Sequence, residues 1–353
     1  MRFGTMSLYI YKVKIMTRVV ISMRKHMLLA ITTILLELFV VACGSNVSET
    51  TADVMMSGIA ETAEIAEEMV EVTNEQPEKI VEEIAEQTIE TDKETEAVLE
   101  ESIPKDYNLH YVDALGEWHD TTIHAGLNMH PYDFSKLEND GQNICYDDGI
   151  YTIRHGIDVS HHQGKINWEQ VKAAGYDFVI LRCAYRGYGK AGNLCEDKEF
   201  PGYIDGAHAA GMDVGVYIFS QAISEEEAVE EADYVINILK DRQIELPVTY
   251  DPETIRDDEA RTDNLTGEQA TLNTIAFCER IKSAGYEPMI YSNMIWEADF
   301  FDMSRVEQYP KWYADYELSP QTPYDFMFWQ YSETGIVDGV HTPVDLDVWF
   351  VKK

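Results

Sequence analysis

The sequence predicts an α/β fold over residues 153–353, an irregular (β/α) barrel of the TIM type, on three observations. Short apolar strands alternate with helical patterns from Ile153 onward, the signature of a parallel sheet wrapped by helices. Two helices in the early gaps open on Ser224-Glu225-Glu226-Glu227 and Thr266-Gly267-Glu268-Gln269, both of capping-box form. After the fifth strand the gaps shrink, leaving little room for a helix between Trp312-Tyr313-Ala314 and Phe328-Trp329-Gln330. The barrel is therefore expected to be complete in its first half and irregular in its second.

The strands expected are, in order, 156–160, 178–182, 214–220, 246–251, 288–292, 312–316, 327–331 and 344–349. Ala228, Ala232, Val235, Ile236 and Leu239 follow the first cap at helical spacing, and Leu272, Ile275, Ala276 and Ile281 follow the second. The fourth strand ends abruptly in Tyr250-Asp251-Pro252-Glu253. Positions i and i+2 of a strand share a face, so Asp251 and Glu253 are expected to point the same way. Neighbouring carboxyls seldom ionise alike, and the less solvated one keeps its proton to higher pH.

The whole chain has 353 residues and a formal net charge of -37, room for one large domain plus appendages. A field this negative repels phosphate backbones, and no Lys/Arg-rich patch stands out beyond the first few dozen residues, so charge excludes a nucleic-acid partner. Cys43, Cys145, Cys183, Cys195 and Cys278 show neither Cys-x-x-Cys spacing nor a dense disulfide framework, and packing must hold the core. Whether Cys183 pairs with Cys195 is left open by the sequence.

Four segments follow from composition. Residues 1–43 hold Met23-Arg24-Lys25-His26 and an apolar run from Met27 to Ala42, broken by Thr32, Thr33 and Glu37. With its small residue before the boundary, this run of about 16 residues suits a secretion signal better than a membrane span of about 20. Its end, Val40-Val41-Ala42-Cys43, resembles the lipobox of bacterial lipoproteins, which makes Cys43 the expected lipid-attachment residue and places the protein on the outer face of the membrane. Residues 44–103 set eighteen acidic residues against Lys79 and Lys93 and hold almost no aromatics, the composition of an extended, disordered acidic stalk. Residues 104–152 regain aromatics and turn signals and read as a small extension packed on the main domain, which is residues 153–353.

Barrels of this type carry their sites at the C-terminal ends of the strands, so the polar residues closing each apolar run are the candidates. Strand one closes on Asp158 and strand four on Asp251 and Glu253; the last strand opens on Val344-Asp345-Leu346-Asp347. Tyr217, Tyr250, Tyr291, Trp312 and Trp329 are expected near the same rim, where flat apolar faces beside acids suit sugar rings. Any one such aromatic is more often core than platform. His155, His161 and His162 lie near Asp158 without a His-x-x-x-His or His-Glu-x-x-His helix, so no metal is expected. Cys183 lacks the surroundings of a nucleophile.

Gly156-Ile157-Asp158-Val159-Ser160-His161-His162-Gln163-Gly164-Lys165-Ile166-Asn167-Trp168 resembles the opening signature of glycoside hydrolase family 25, the lysozyme-type muramidases. Phe178-Val179-Ile180-Leu181-Arg182, Ala210-Gly211-Met212-Asp213-Val214-Gly215-Val216-Tyr217, the Asp251/Glu253 pair, Trp329-Gln330-Tyr331 and Val344-Asp345-Leu346-Asp347 follow in that family's order, over about residues 153–351. The resemblance implies an irregular barrel that hydrolyses the β-1,4 bond between N-acetylmuramic acid and N-acetylglucosamine of peptidoglycan, as a monomer without a cofactor. Carried over by position, Glu253 is the general acid with Asp251 beside it, and Asp158 and Asp345 complete the acidic cluster, Asp347 being the alternative to Asp345. Glu253 is expected to carry the proton and Asp251 the charge. A protein nucleophile needs carboxyls about 5–5.5 Å apart, inversion needs about 6.5–9.5 Å, and attack by the substrate's own 2-acetamido group, favoured here, needs Asp251 to orient it. The second functional reading is a non-catalytic lipoprotein that binds wall glycan.

Overall fold

The computed structural model describes residues 105–140 and 144–353. The expected signal, Cys43 and the acidic stalk lie outside the described residues. Eight strands close a barrel in the order β5 (Tyr151–Val159), β6 (Phe178–Arg186), β8 (Asp213–Ser220), β9 (Val248–Pro252), β10 (Pro288–Ser292), β11 (Lys311–Ala314), β12 (Phe328–Gly335) and β13 (Val344–Lys352). A short strand, β7 (Leu194–Glu196), pairs antiparallel with the far end of β6. The first seven barrel strands run parallel to their neighbours, whereas β13 is antiparallel to both β12 and β5. The expectation of a parallel sheet therefore fails at the last strand. Only eight residues, 336–343, separate β12 from β13, too few for a parallel crossover of a dozen or more. The reversal places the beginning of β13 at the same barrel end as the closing residues of the other strands.

The strands are buried on both faces, as parallel strands between two apolar layers must be. Along β6, Val179, Leu181 and Cys183 turn to the helical shell while Phe178 and Ile180 turn into the barrel. Phe178, Ile180, Leu246, Met289 and Phe328 belong to the inner cluster together with Tyr217, Tyr291 and Trp312. Gly156 makes room for this filling, since a β-carbon there would stand 2.2 Å from the Phe178 ring.

The helices are α1 (Trp168–Ala173), α2 (Phe200–Ala209), α3 (Glu225–Leu239), α4 (Gly267–Ser283) and the short α5 (Met303–Val306), which follows a π-helical turn at Trp296–Phe300. Ser224 and Thr266 cap α3 and α4 by accepting from the N–H groups of Glu227 and Gln269. The reciprocal half of each box is absent, because the Glu227 carboxylate accepts from Ile223 N–H and the Gln269 amide donates to Asn273. Three glutamates in the first turn of α3 complement its dipole, and Ala228, Ala232, Val235 and Leu239 give it a buried stripe.

No helix joins β11 to β12. The N-terminal extension covers that connection instead. It holds a hairpin of β1 (Tyr107–Val112) and β2 (Trp118–Ile123) and a smaller pair, β3 (Leu137–Asn139) and β4 (Ile144–Tyr146). Val112 exchanges two hydrogen bonds with the Gln321 amide, at 2.9 and 2.8 Å, and Met129 bridges to Tyr324. The Tyr132 ring stacks on Phe350 with centroids 4.1 Å apart, and its hydroxyl donates to Phe326 O. Tyr111 and Ile123 of the hairpin are buried, and Met129, Tyr132 and the hairpin give this side of the barrel an apolar cover in place of a helix.

Candidate active site

Alternation along β9 decides which groups enter the barrel. Val248 and Tyr250 join the outer core, leaving Asp251 to face inward, 2 % exposed. Glu253 is the first residue beyond the strand, its backbone oxygen held by the Gln221 amide at 2.7 Å. It is exposed, yet it stands in a recess crowded by protein beside Asp251. Asp158 arrives from β5, and because β13 is antiparallel, Asp345 lies in register opposite Asp158 with Asp347 one inward position deeper. Five carboxyls therefore meet at one barrel end, Asp347 at 0 % exposure and Asp345 half-buried.

Hydrogen bonds order the buried members. Trp312 Nε1 donates to Asp347 Oδ1 at 2.8 Å, and the Asp158 and Asp347 carboxyls act on each other as buried neighbours. Gln330 Nε2 donates to Asp158 Oδ2 at 2.7 Å, while Gln330 Oε1 accepts from the hydroxyls of Tyr291 and Tyr316, each at 3.0 Å. Asp251 Oδ1 meets no N–H or O–H donor. Arg182, inward on β6, acts on both Asp251 and Glu253, with Arg256 also acting on Glu253, and Arg182 is fixed by Asp197 through contacts of 2.9 and 2.8 Å.

Burial, then the negative charges of Glu253 and Asp158, push Asp251 well above the usual carboxylate range. Loss of solvation also raises Glu253, against the neighbouring Asp251 carboxyl and the charges of Arg182 and Arg256. Loss of solvation, then Asp347, raises Asp158; loss of solvation, then Asp158 and Glu333, pushes Asp345 up to about 9. Like charges in so little water cannot all ionise, so protons are retained at neutral pH. Asp251 and Glu253 are both raised and titrate as one pair that retains a proton between them.

Of the aromatics expected at the rim, Tyr217, Tyr291 and Trp312 enter the barrel beside the acids. Tyr250 and Trp329 do not. Tyr250 packs on Phe277 of α4, and Trp329 lies in the outer core with Nε1 donating to Asp315 O. Each directly adjoins an inward polar residue, Asp251 or Gln330, and strand alternation sends it to the opposite face. Gln330, Tyr316 and Arg182 are not among the site residues expected from the sequence, although Gln330 and Arg182 fall in the family-like blocks and stand out as inward polar positions in apolar strands. Both His161 and His162 follow Asp158 on a 3-10 turn, and His161 Nδ1 lies 3.0 Å from Asp197 and 2.5 Å from Arg182. Among the described residues no group of three His, Cys, Asp or Glu suits a metal ion, and Cys183 and Cys195 are both free thiols.

An acid pair, a second bank of carboxyls and an aromatic floor at the open end of a barrel are the apparatus of a glycoside hydrolase. The profile of the glycosyl hydrolases family 25 matches residues 157–340, and the chain belongs to that family. The autolytic lysozyme of Clostridium acetobutylicum is 25% identical over 193 residues, 54% of this chain and 54% of that protein. Lysozyme M1 of Streptomyces globisporus is 30% identical over 203 residues, 54% of this chain and 65% of that protein. The chain thus spans between half and two thirds of the length of these relatives. The modular autolysin LytC of Streptococcus pneumoniae shares the fold, with a TM-score of 0.51 and 23% identity over 68% of this chain and 56% of that one.

Proposed function

We propose that the protein is a peptidoglycan hydrolase, an N-acetylmuramidase that cleaves the β-1,4 bond between N-acetylmuramic acid and N-acetylglucosamine. The observation that carries this reading is the Asp251–Glu253 pair, one member buried and one open to the groove, at the end of the fourth strand of a family 25 barrel. Glu253 is the member a glycosidic oxygen can reach and acts as the general acid, with Asp251 beside it. A bound sugar strips water from Glu253 and raises its proton affinity, while the acetamido N–H of the substrate favours charge on Asp251. With substrate bound, the pair's proton is therefore held on Glu253 and the charge on Asp251. Asp251 in this state orients the acetamido group for attack on the anomeric carbon. Asp158 and Asp345 complete the acidic wall; Tyr217, Tyr291 and Trp312 line the floor.

The protein is further proposed to be secreted and lipid-anchored at Cys43 on the outer face of the cell membrane, held off it by the acidic stalk of residues 44–103. The catalytic reading is tested by digesting purified peptidoglycan with the full chain and with Glu253→Gln. Reducing ends released by the wild type should fall by about 10²- to 10⁴-fold in the variant, the range of a general acid. Glycan binding without release by either form identifies the non-catalytic alternative.

A further inference from the structure

We propose that Gln330 is a positioning residue: with its carbonyl oxygen held by Tyr291 and Tyr316, its amide nitrogen fixes the Asp158 carboxyl against Asp347 and so sets how Asp158 faces the Asp251–Glu253 pair. The donor and acceptor inventory supports one arrangement. Gln330 Oε1 takes a phenol O–H on each of its two lone pairs, which leaves Nε2 to face Asp158 Oδ2. Turning the amide over would place its carbonyl oxygen against Asp158 Oδ2, a contact between two acceptors unless that oxygen is protonated. On the far side, Asp347 Oδ1 accepts from Trp312 Nε1, and the buried Asp347 Oδ2 meets no N–H or O–H donor. Asp158 is therefore held by the Gln330 amide, with the Asp347 carboxyl as its buried neighbour on the other side.

Backbone geometry serves the same end. Gln330 stands in register opposite Asp347, and the pairing of β12 with β13 shifts immediately after it. Such an irregularity re-aims side chains, often beside active sites. Gln330 is only 5 % exposed, so it lies beneath the groove and acts through Asp158. The groups facing Asp158 are Asp345 and Asp347 on β13, Asp251 and Glu253 at β9, and the phenols of Tyr217, Tyr291 and Tyr316, with Arg182 beside Asp251. Only the amide of Gln330 offers Asp158 a neutral donor among the hydrogen bonds of the described residues.

The activity arm of the test rests on the muramidase reading, and a second arm does not. Gln330→Leu keeps the bulk and removes both polar ends; Gln330→Glu restores a donor and an acceptor only when its carboxyl is protonated. With peptidoglycan, Gln330→Leu should lower kcat by about 10- to 100-fold at nearly constant KM. Gln330→Glu should regain activity relative to Gln330→Leu as the pH falls. Independently, the carbon-13 carboxyl titration of Asp158, assigned with Asp158→Asn, should move to higher pH in Gln330→Leu, because a hydrogen bond favouring its charged form is lost. A wild type that cleaves no peptidoglycan overturns the functional reading while the titration still decides on Gln330. An unmoved titration, or Gln330→Glu tracking Gln330→Leu at every pH in an active enzyme, overturns the positioning role.

Discussion

Replacing Asp345 by Asn should make the protein hold its stability better as the pH rises. Asp345 stands opposite Asp158 in the β5–β13 register, and burial with the charges of Asp158, Glu333 and Glu253 lifts it from 3.8 to about 9. The folded chain thus binds this proton more tightly than the unfolded chain, whose Asp345 returns to the ordinary value. The resulting stabilisation is complete below about pH 4 and is lost as the pH climbs toward about 9. Each unit of upward shift is about 1.4 kcal/mol, so even two units holding in solution make a difference of about 3 kcal/mol across the window. Asn cannot ionise and escapes that loss, and Asp158 is relieved of a like charge as well. Urea unfolding of the full chain at about pH 4.5 and about pH 8.5 measures the effect, and taking wild type minus variant cancels most of the remaining acidic background. Equal pH dependence in the two proteins, or a steeper fall in the variant, refutes the electrostatic picture of the carboxyl bank.

The two tryptophans expected at the rim should separate by function. Trp312→Phe leaves Asp347 Oδ1 without its donor, so kcat/KM should fall with stability, by about 1–3 kcal/mol in the latter. Trp329→Phe loses only the bond to Asp315 O in the outer core, and its kcat/KM per folded molecule should stay within a factor of about three, below 1 kcal/mol of transition-state energy. Gly156→Ala forces a methyl against the Phe178 ring, and thermal melts should report overpacking of about 1–3 kcal/mol. Cys43→Ala should move the protein from the membrane fraction to the medium and abolish incorporation of labelled fatty acid; a wild type that never takes up the label refutes the anchor.

Strand positions were legible because a strand buried on both faces is a short apolar run between polar breaks. Residues 288–292 coincide with the observed β10, and the loss of helices late in the barrel was readable from gap length alone. Facing was misread where proximity in sequence was taken for proximity in space. Tyr250 precedes Asp251 and Trp329 precedes Gln330, and alternation that turns the polar residue inward turns the aromatic outward. The direction of β13 was recoverable from the short Asp338-Gly339 connection, a turn signal with too little chain for a crossover. Less legible was the pairing of Asp158 with Gln330, since residues 172 positions apart meet only through closure of the barrel. Both Asp345 and Asp347 enter the site, so the choice between them becomes a division by depth.

The central claim is the bond that is broken. Mass spectrometry of peptidoglycan digested in water enriched in heavy oxygen tests it directly. Saccharides with new reducing ends on N-acetylmuramic acid, the heavy oxygen on that anomeric carbon, and loss of these products in Glu253→Gln are the expected result. New reducing ends on N-acetylglucosamine, or undiminished muramic-acid ends from Glu253→Gln, contradict it.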